Sequence, residues 1–253
     1  MSGESRLSTV KRRAAISQRL AEIGAVEVSD LVVRFDVSPP TIRRDLNWLE
    51  EEGLARRVHG GALVAGQASS SPPDPEAVPT RIGRAAAKLA EDGETVFIGP
   101  GRLGVATAQA LADRQRLAVV TNGLAVAQAV AAHSRHTLIV TGGQLERQDR
   151  GLEGPLAREA LKDLRADRIF LELGGVSAVE GLTDDSLPQA ELERQIIALG
   201  SHVIVMVEPD RVGRVAAAHI GPAADADVLV TAREADSAPL WDLTELGVRV
   251  VLA

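Results

Sequence analysis

The sequence predicts a multidomain protein: an N-terminal α+β domain of three helices and a hairpin, then a C-terminal α/β domain built on a mainly parallel sheet. Three observations predict it. Residues 1–64 hold three helix-period patterns followed by a hairpin signal, and residues 66–79 are rich in Ser, Pro and Ala with few large apolar side chains. From Thr80 onward, short apolar runs alternate with helical stretches to the end of the chain. That alternation is what a parallel sheet needs, because its crossover helices bury both faces. At 253 residues, 45% of them hydrophobic, the chain can build one large core or two smaller ones. The expected boundaries are 1–65 for the first domain, 66–79 for a linker and 80–253 for the second domain.

In the first domain Arg12, Ile16, Leu20 and Ile23 recur at spacings of three and four, which places them on one helix face ending at Gly24. Val26-Glu27-Val28 leads into a second, short helix, with Ser29 as its N-cap ahead of Leu31, Val32 and Phe35. After a break at Asp36-Val37, Ser38 caps a third helix. Pro39 and Pro40 are tolerated in its first turn, where an amide hydrogen would have no partner, and the helix runs to about Glu52 before Gly53. From Leu54 to Val64 the pattern becomes two β-prone stretches around His59-Gly60-Gly61, a hairpin signal. Helices followed by such a hairpin make a winged helix-turn-helix.

The third helix divides into an apolar face of Ile42, Leu46 and Leu49 and a polar face of Thr41, Arg43, Arg44 and Asn47. The apolar face is expected to pack on the other helices and the polar face to enter the major groove of double-stranded DNA. There a guanidinium can donate bidentately to guanine, and the hydroxyl of Ser38 or Thr41 can meet a base or a phosphate. Amides at the helix start add a phosphate contact. In the hairpin, Arg56, Arg57 and His59, with Gly60 at the turn, are expected to contact phosphate or the minor groove. Asp45 is expected on the same groove-facing side, where an unpaired carboxylate would repel phosphate, so it is expected to pair with a neighbouring arginine and hold it in place. Trp48 is expected to cover the junction of helix and wing.

In the second domain, apolar runs place strands at 95–98, 117–120, 137–140, 168–173, 203–207, 228–230 and 248–252. Several of these runs end in small or polar residues: Gly99-Pro100-Gly101-Arg102, Thr121-Asn122-Gly123, Thr141-Gly142-Gly143 and Gly174-Gly175. Ligands of open parallel sheets collect at strand carboxyl ends, and glycine lets backbone amides approach an anion. Gly101, Arg102, Asn122, Gly142, Gly143 and Gly175 are therefore candidate contacts for a phosphate or carboxylate ligand. Glu172 is unusual inside an apolar strand; it points into that pocket or pairs with an arginine.

Composition narrows the function classes. The net charge of −7 is unevenly spread: residues 1–62 carry 10 Lys and Arg against 9 Asp and Glu, and the rest carries 18 against 26. A uniformly basic nucleic-acid binder is excluded, and the acidity lies in the second domain. The chain has no cysteine, so it has no disulfide framework, thiolate metal site or Cys nucleophile. The apolar runs are shorter than a membrane span, and the start MSGESRLSTVKRR lacks the apolar core of a signal peptide, so a cytoplasmic protein without membrane attachment is expected. No metal cluster, nucleophile elbow or Walker loop is present, and no cofactor is expected. Glu172, Asp184, Asp185 and Glu208 leave an isomerase or acyl-transfer enzyme as an alternative.

The first domain resembles the DeoR family of bacterial regulators through Arg12, Ile16 and Leu20, then Ser38, Thr41, Ile42, Arg43, Arg44, Asp45 and Leu46, then Glu51-Glu52-Gly53-Leu54 and the wing Arg56-Arg57-Val58-His59-Gly60-Gly61-Ala62. The resemblance continues through Val119-Val120-Thr121-Asn122, Gly142-Gly143-Gln144-Leu145, Gly154-Pro155, Gly174-Gly175, Gly181-Leu182-Thr183 and Gly213. It implies a second domain similar to sugar-phosphate isomerase and CoA-transferase folds. It also implies a repressor of sugar or carbon metabolism genes that acts as a homodimer or homotetramer on a DNA operator and is relieved by a small phosphorylated metabolite.

Three departures bear on the ligand. Where the family usually carries Asp-x-Gly-(Ser/Thr)-Thr, this chain has Gly99-Pro100-Gly101-Arg102-Leu103. An Asp-x-x-Glu-Ala-x-x-Lys-Arg pattern appears as Ser186-Leu187-Pro188-Gln189-Ala190-Glu191-Leu192-Glu193-Arg194, which puts an anion where a cation is usual. The pattern Asp-x-x-Lys-x-Gly keeps its charge types in Glu208-Pro209-Asp210-Arg211-Val212-Gly213, which adds Arg211 to the candidate contacts. Two readings stay open: arginines that clamp phosphate in place of hydroxyls and lysine, or a regulator whose pocket has lost its ligand.

Overall fold

The periodic segments of the first domain form α1 (Thr9–Ile23), β1 (Ala25–Glu27), α2 (Val28–Phe35), α3 (Pro39–Glu51), β2 (Ala55–Val58) and β3 (Gly61–Val64). The computed structural model describes residues 9–23, 25–51, 54–58, 61–64, 77–133, 135–145 and 151–253. Two compact units divide the chain, Met1–Asp74 and Pro75–Ala253.

In the first unit Ile16 and Leu20 of α1, Leu31 and Phe35 of α2, and Ile42, Leu46 and Leu49 of α3 are buried, as their helical spacing requires. The α3 start follows from its prolines, and the carbonyl of Ser38 accepts from the amides of Thr41 (2.9 Å) and Ile42 (3.2 Å). The strands form one antiparallel sheet in the order β1-β3-β2. The stretch expected to lead into the second helix is itself a strand, β1. Pairing Ala25–Glu27 with Gly61–Leu63 satisfies backbone groups and buries Val26 opposite Ala62. The helix α2 therefore starts at Val28, and Ser29, the expected cap, lies inside it.

The second unit begins with α4 (Val78–Ala87), β4 (Thr95–Ile98), α5 (Arg102–Ala110), β5 (Ala118–Thr121), α6 (Leu124–His133), β6 (Thr137–Val140), β7 (Gln144–Leu145) and β8 (Leu152–Glu153). It continues through α7 (Pro155–Leu161), β9 (Arg168–Glu172), β10 (Gly175–Ser177), β11 (Gly181–Asp184), α8 (Leu187–Ile197) and β12 (Val203–Met206). The last elements are β13 (Ala218–Gly221), β14 (Val228–Thr231), α9 (Ser237–Glu245) and β15 (Arg249–Leu252).

One sheet takes the order β15-β14-β12-β9-β4-β5-β6, and every pair in it is parallel. From β4 the chain steps outward to β5 and β6, then returns to lay β9 against the other side of β4 and steps outward the opposite way. Right-handed crossovers put their helices on opposite faces when the direction of travel reverses. Accordingly Ile82, Leu103, Val126 and Val130 from α4, α5 and α6 pack with Val96, Ile98, Phe170 and Met206. On the other face Leu161, Leu192, Ile196 and Leu243 from α7, α8 and α9 pack with Phe97, Ile169, Leu171 and Val205. Successive strand residues thus point to opposite cores. Two small antiparallel sheets, β7-β8 and β10-β11-β13, extend beyond the carboxyl ends of the large one.

Candidate nucleic-acid face and ligand cavity

Along α3 the buried positions are Ile42, Asp45, Leu46 and Leu49, so the opposite side of the helix faces outward. Arg44 and Asn47 are exposed there, with Thr41 and Arg43 half-buried beside them. Ser38 is exposed ahead of the helix, and its hydroxyl meets that of Thr41 at 2.9 Å. Arg56 and Arg57 lie in β2, paired in register with Leu63 and Ala62. His59 and Gly60 fall outside the described residues.

Asp45 is not on the outward face, which corrects the expectation from sequence. It is 1% exposed and accepts from Nε of Arg12 at 2.5 Å and Nε of Arg13 at 2.9 Å, both on α1. The carboxylate therefore ties α3 to α1 from within, and both arginines it holds belong to α1, not to the outward face of α3. The Arg13 guanidinium also lies 4.6 Å from the ring centroid of Trp48, which fixes the outer edge of the same contact.

In an open parallel sheet the ligand site falls at the carboxyl ends of the strands where their order reverses, here β4 and β9. A cavity of about 270 Å³ lies there. Pro100, Gly101 and Arg102 close it from the end of β4, and Glu172, Leu173 and Gly174 from the end of β9. Asp184 and Asp185 enter from β11, Gln189 and Glu193 from α8, and Glu208 and Arg211 from the loop after β12. A second cavity, about 380 Å³ between β8, α7 and α8, is larger but stands away from the point where the strand order reverses.

Of the candidate ligand contacts, Gly101, Arg102 and Arg211 line the switch-point cavity. Gly175 stands just behind Gly174, where a side chain would collide with the backbone of Arg214. Asn122, Gly142 and Gly143 are not among its lining residues. Asn122 is fully buried, and its Nδ2 donates to the carbonyl of Leu152 at 3.3 Å. Gly142 (φ 72°) and Gly143 (φ 124°) form the left-handed turn into β7, which packs so closely on β8 that a Cβ at Gly143 would come within 2.6 Å of the Glu153 carbonyl oxygen. Asn122 and Gly143 thus hold against β8, and Gly142 supplies the turn ahead of β7.

The cavity's guanidiniums are already engaged. Arg102 Nη2 donates to Glu208 at 2.6 Å, and Arg211 Nη1 donates to the carbonyl of Gly174 at 3.2 Å and to Asp185 at 3.4 Å. Arg214, which no sequence signal singled out, grips Asp185 with both terminal nitrogens, at 3.2 and 2.7 Å.

Glu172 answers the question its strand position raised. Gly101 has φ 110° and no side chain, and Glu172 Oε2 occupies the space a Cβ would need. From there it accepts the Leu103 amide at 2.7 Å. The N-terminus of α5 is the natural anion cradle of the site, and the chain's own carboxylate fills it. Burial, reinforced by the charge of Glu208, holds the Glu172 carboxyl above its ordinary value of 4.5 against the opposing pull of the Leu103 and Gly104 amides and Arg102. The folded state then binds this proton more tightly than the unfolded state does, so ionised Glu172 destabilises the fold above the raised pKa, and the penalty vanishes below 4.5. Glu172→Gln, which can keep the amide contact through its carbonyl, is expected to raise the thermal midpoint at alkaline pH and to lose that advantage in acid. Equal midpoints across the pH range would count against this account.

A winged helix-turn-helix with an outward basic helix face, in one chain with an α/β unit whose cavity sits at the sheet's switch point, defines a ligand-sensing DNA-binding regulator. The chain belongs to the DeoR family. The DeoR-like helix-turn-helix domain matches residues 12–68 and the DeoR C terminal sensor domain matches residues 79–233. It is 30% identical to the glycerol-3-phosphate regulon repressor of Escherichia coli K12, over 89% of this chain and 91% of that one. It is also 30% identical to the transcriptional repressor AccR of Agrobacterium fabrum, over 88% of this chain and 90% of that one. Among solved structures it is similar to the ribose 5-phosphate isomerase A of Methanocaldococcus jannaschii, with 13% identity, a TM-score of 0.39 and coverage of 53% of this chain and 52% of that one. With so partial a likeness, the sheet order itself carries the description of the fold. No described helix is long and apolar enough to cross a membrane.

Proposed function

We propose that this protein is a cytoplasmic repressor of genes for sugar or carbon metabolism and that a small phosphorylated metabolite in the switch-point cavity relieves its hold on an operator. Residues 1–65 read the DNA, 66–79 connect and 80–253 sense and oligomerise, and the chain has no catalytic role. The observation that supports this best is the division of α3, whose apolar residues and Asp45 are buried while Thr41, Arg43, Arg44 and Asn47 face outward. That leaves the helix free to enter a major groove, and a homodimer or homotetramer would present two such helices to two half-sites. The names of the relatives, one a glycerol-3-phosphate regulon repressor, support a phosphorylated effector. With Glu172 in the α5 cradle, the phosphate would meet Arg102 and Arg211 instead.

Arg43→Ala is expected to cost about 1–3 kcal/mol at a guanine-containing operator and to relax discrimination there. Arg57→Ala is expected to weaken binding to all sequences alike and to lower the salt slope by about one. Titrating operator and scrambled duplexes at several salt concentrations measures both, and variants that bind like wild type would reject the assignment. The Glu172 carboxylate in the cradle favours a second reading, a ligand-independent regulator. Retention of the operator throughout a panel of sugar phosphates would select it.

A further inference from the structure

The switch-point cavity changes polarity with depth. Guanidiniums stand at its open end, where the side chains of Arg102 and Arg211 are 74% and 37% exposed. Acceptors line its interior, where Asp184, Gln189 and Glu193 are 4%, 3% and 1% exposed. Among the described residues that line it, five are Asp or Glu and two are Arg, and both arginines already meet carboxylates.

Gln189 shows what is missing. Its Nε2 donates to Glu193 Oε1 at 3.0 Å. A carboxylate accepts and does not donate, so this contact fixes the amide's orientation and leaves Oε1 as the remaining acceptor. That oxygen is buried and has no hydrogen-bond partner among the described residues, a costly state for a polar atom away from water. The inner wall therefore needs a donor, and the carboxylates around it favour a charged one. Among the described residues no three carboxylates or histidines are grouped to hold a metal ion, so the donor that fits is an ammonium, compact and with three hydrogens. Where the resembling pattern has Lys, this chain has Glu193.

We propose that the ligand of this cavity carries a protonated amine, which donates to Gln189 Oε1 and Glu193 at the buried end while its phosphate faces Arg102 and Arg211 at the open end. This rests on the reading of the protein as a sensor of a phosphorylated metabolite and adds the chemistry of the ligand's other end.

Calorimetry on the full chain tests it with two matched pairs of probes, glucosamine 6-phosphate against glucose 6-phosphate and ethanolamine phosphate against ethylene glycol phosphate. Within each pair an ammonium replaces a hydroxyl. In at least one pair the amine is expected to bind tenfold or more tightly than its partner. Glu193→Gln should shrink that preference, and the double variant Gln189→Glu, Glu193→Lys, which supplies an internal cation, should abolish or reverse it with a thermal midpoint close to wild type. Equal affinity within both pairs, absence of binding by all four probes, or a preference that Glu193→Gln leaves unchanged overturns the inference. Operator release judges the proposed function separately: a protein that binds its operator and lets go equally with amine and hydroxyl phosphates keeps that function and loses this ligand chemistry.

Discussion

Asp45→Ala is expected to unfold most of the N-terminal unit while leaving the parallel sheet of the C-terminal unit intact. The carboxylate is 2% exposed as a side chain and meets guanidiniums that are 8% and 25% exposed, those of Arg12 and Arg13. Removing it leaves the Arg12 charge buried without the carboxylate it faces, and breaking a buried pair from one side costs about 3–5 kcal/mol. A unit of this size has roughly 3–9 kcal/mol of stability in all, so the loss takes most of it. Arg13→Ala should cost much less, because its guanidinium is partly solvated and it gives up one charge contact and the Trp48 stack. Hydrogen exchange read by segment separates the outcomes. Protection should collapse through α1, α2 and α3 in Asp45→Ala and stay unchanged in β4, β9 and β12, with operator binding lost for want of a folded reader. A variant that keeps protection in α3 but loses DNA affinity would return Asp45 to the DNA face.

That pair also marks where the sequence was legible and where it was not. Ile42, Leu46 and Leu49 define the core face of α3, and Asp45 falls on it by the same spacing, just as Arg12 falls on the face of Ile16 and Leu20. Two opposite charges, each at a core position of its own helix, were the signal. Pattern alone does not join them, because buried charge is rare and the partner lies 33 residues away. The strands of the large sheet were visible to within a residue or two, since a strand buried on both faces is a continuous apolar run. Their order was not, because runs such as TVFI and VIVM carry no mark of which neighbour each one pairs with. β1, β7 and β10 are too short for a period to show, and the pairing of β1 depends on residues of β3 some 36 positions later.

The cavity was half legible for the same reason. Glycines at strand ends pointed to the end of the sheet where this cavity lies, and Gly101, Arg102 and Arg211 do come together there. Asn122, Gly142 and Gly143 carry the same signature yet do not line this cavity, because glycine reports a tight turn or close approach and does not say whether a ligand or another strand lies against it. The role of Glu172 depends on amides that begin 69 residues earlier in the chain, which no local pattern can reveal.

Gly104→Ala should reverse the sign that helix propensity alone assigns. Within a helix, exchanging Gly for Ala is worth about 1 kcal/mol in favour of folding. Gly104, however, faces the end of β4 from the first turns of α5, where an added Cβ would overlap the Gly99 carbonyl oxygen and lie 3.3 Å from Cγ2 of Val126. A carbonyl whose own residue donates its amide to Phe170 at 2.8 Å cannot swing aside as a flexible side chain could. Overpacking against fixed structure costs about 1–3 kcal/mol and occasionally more, and a direct overlap with backbone belongs at the upper end, so the net loss should be about 2 kcal/mol. In a unit of this size that corresponds to roughly 4–8 °C in thermal midpoint. The functional effect should exceed the stability effect, because relief of the overlap lifts the start of α5, carrying Arg102 away from Glu208 and the Leu103 amide away from Glu172. Effector binding should disappear while operator binding persists, giving a repressor that no longer responds to its signal. A stabilised variant with normal ligand response would show that the loop from Gly99 to Arg102 yields more readily than its hydrogen bonds indicate.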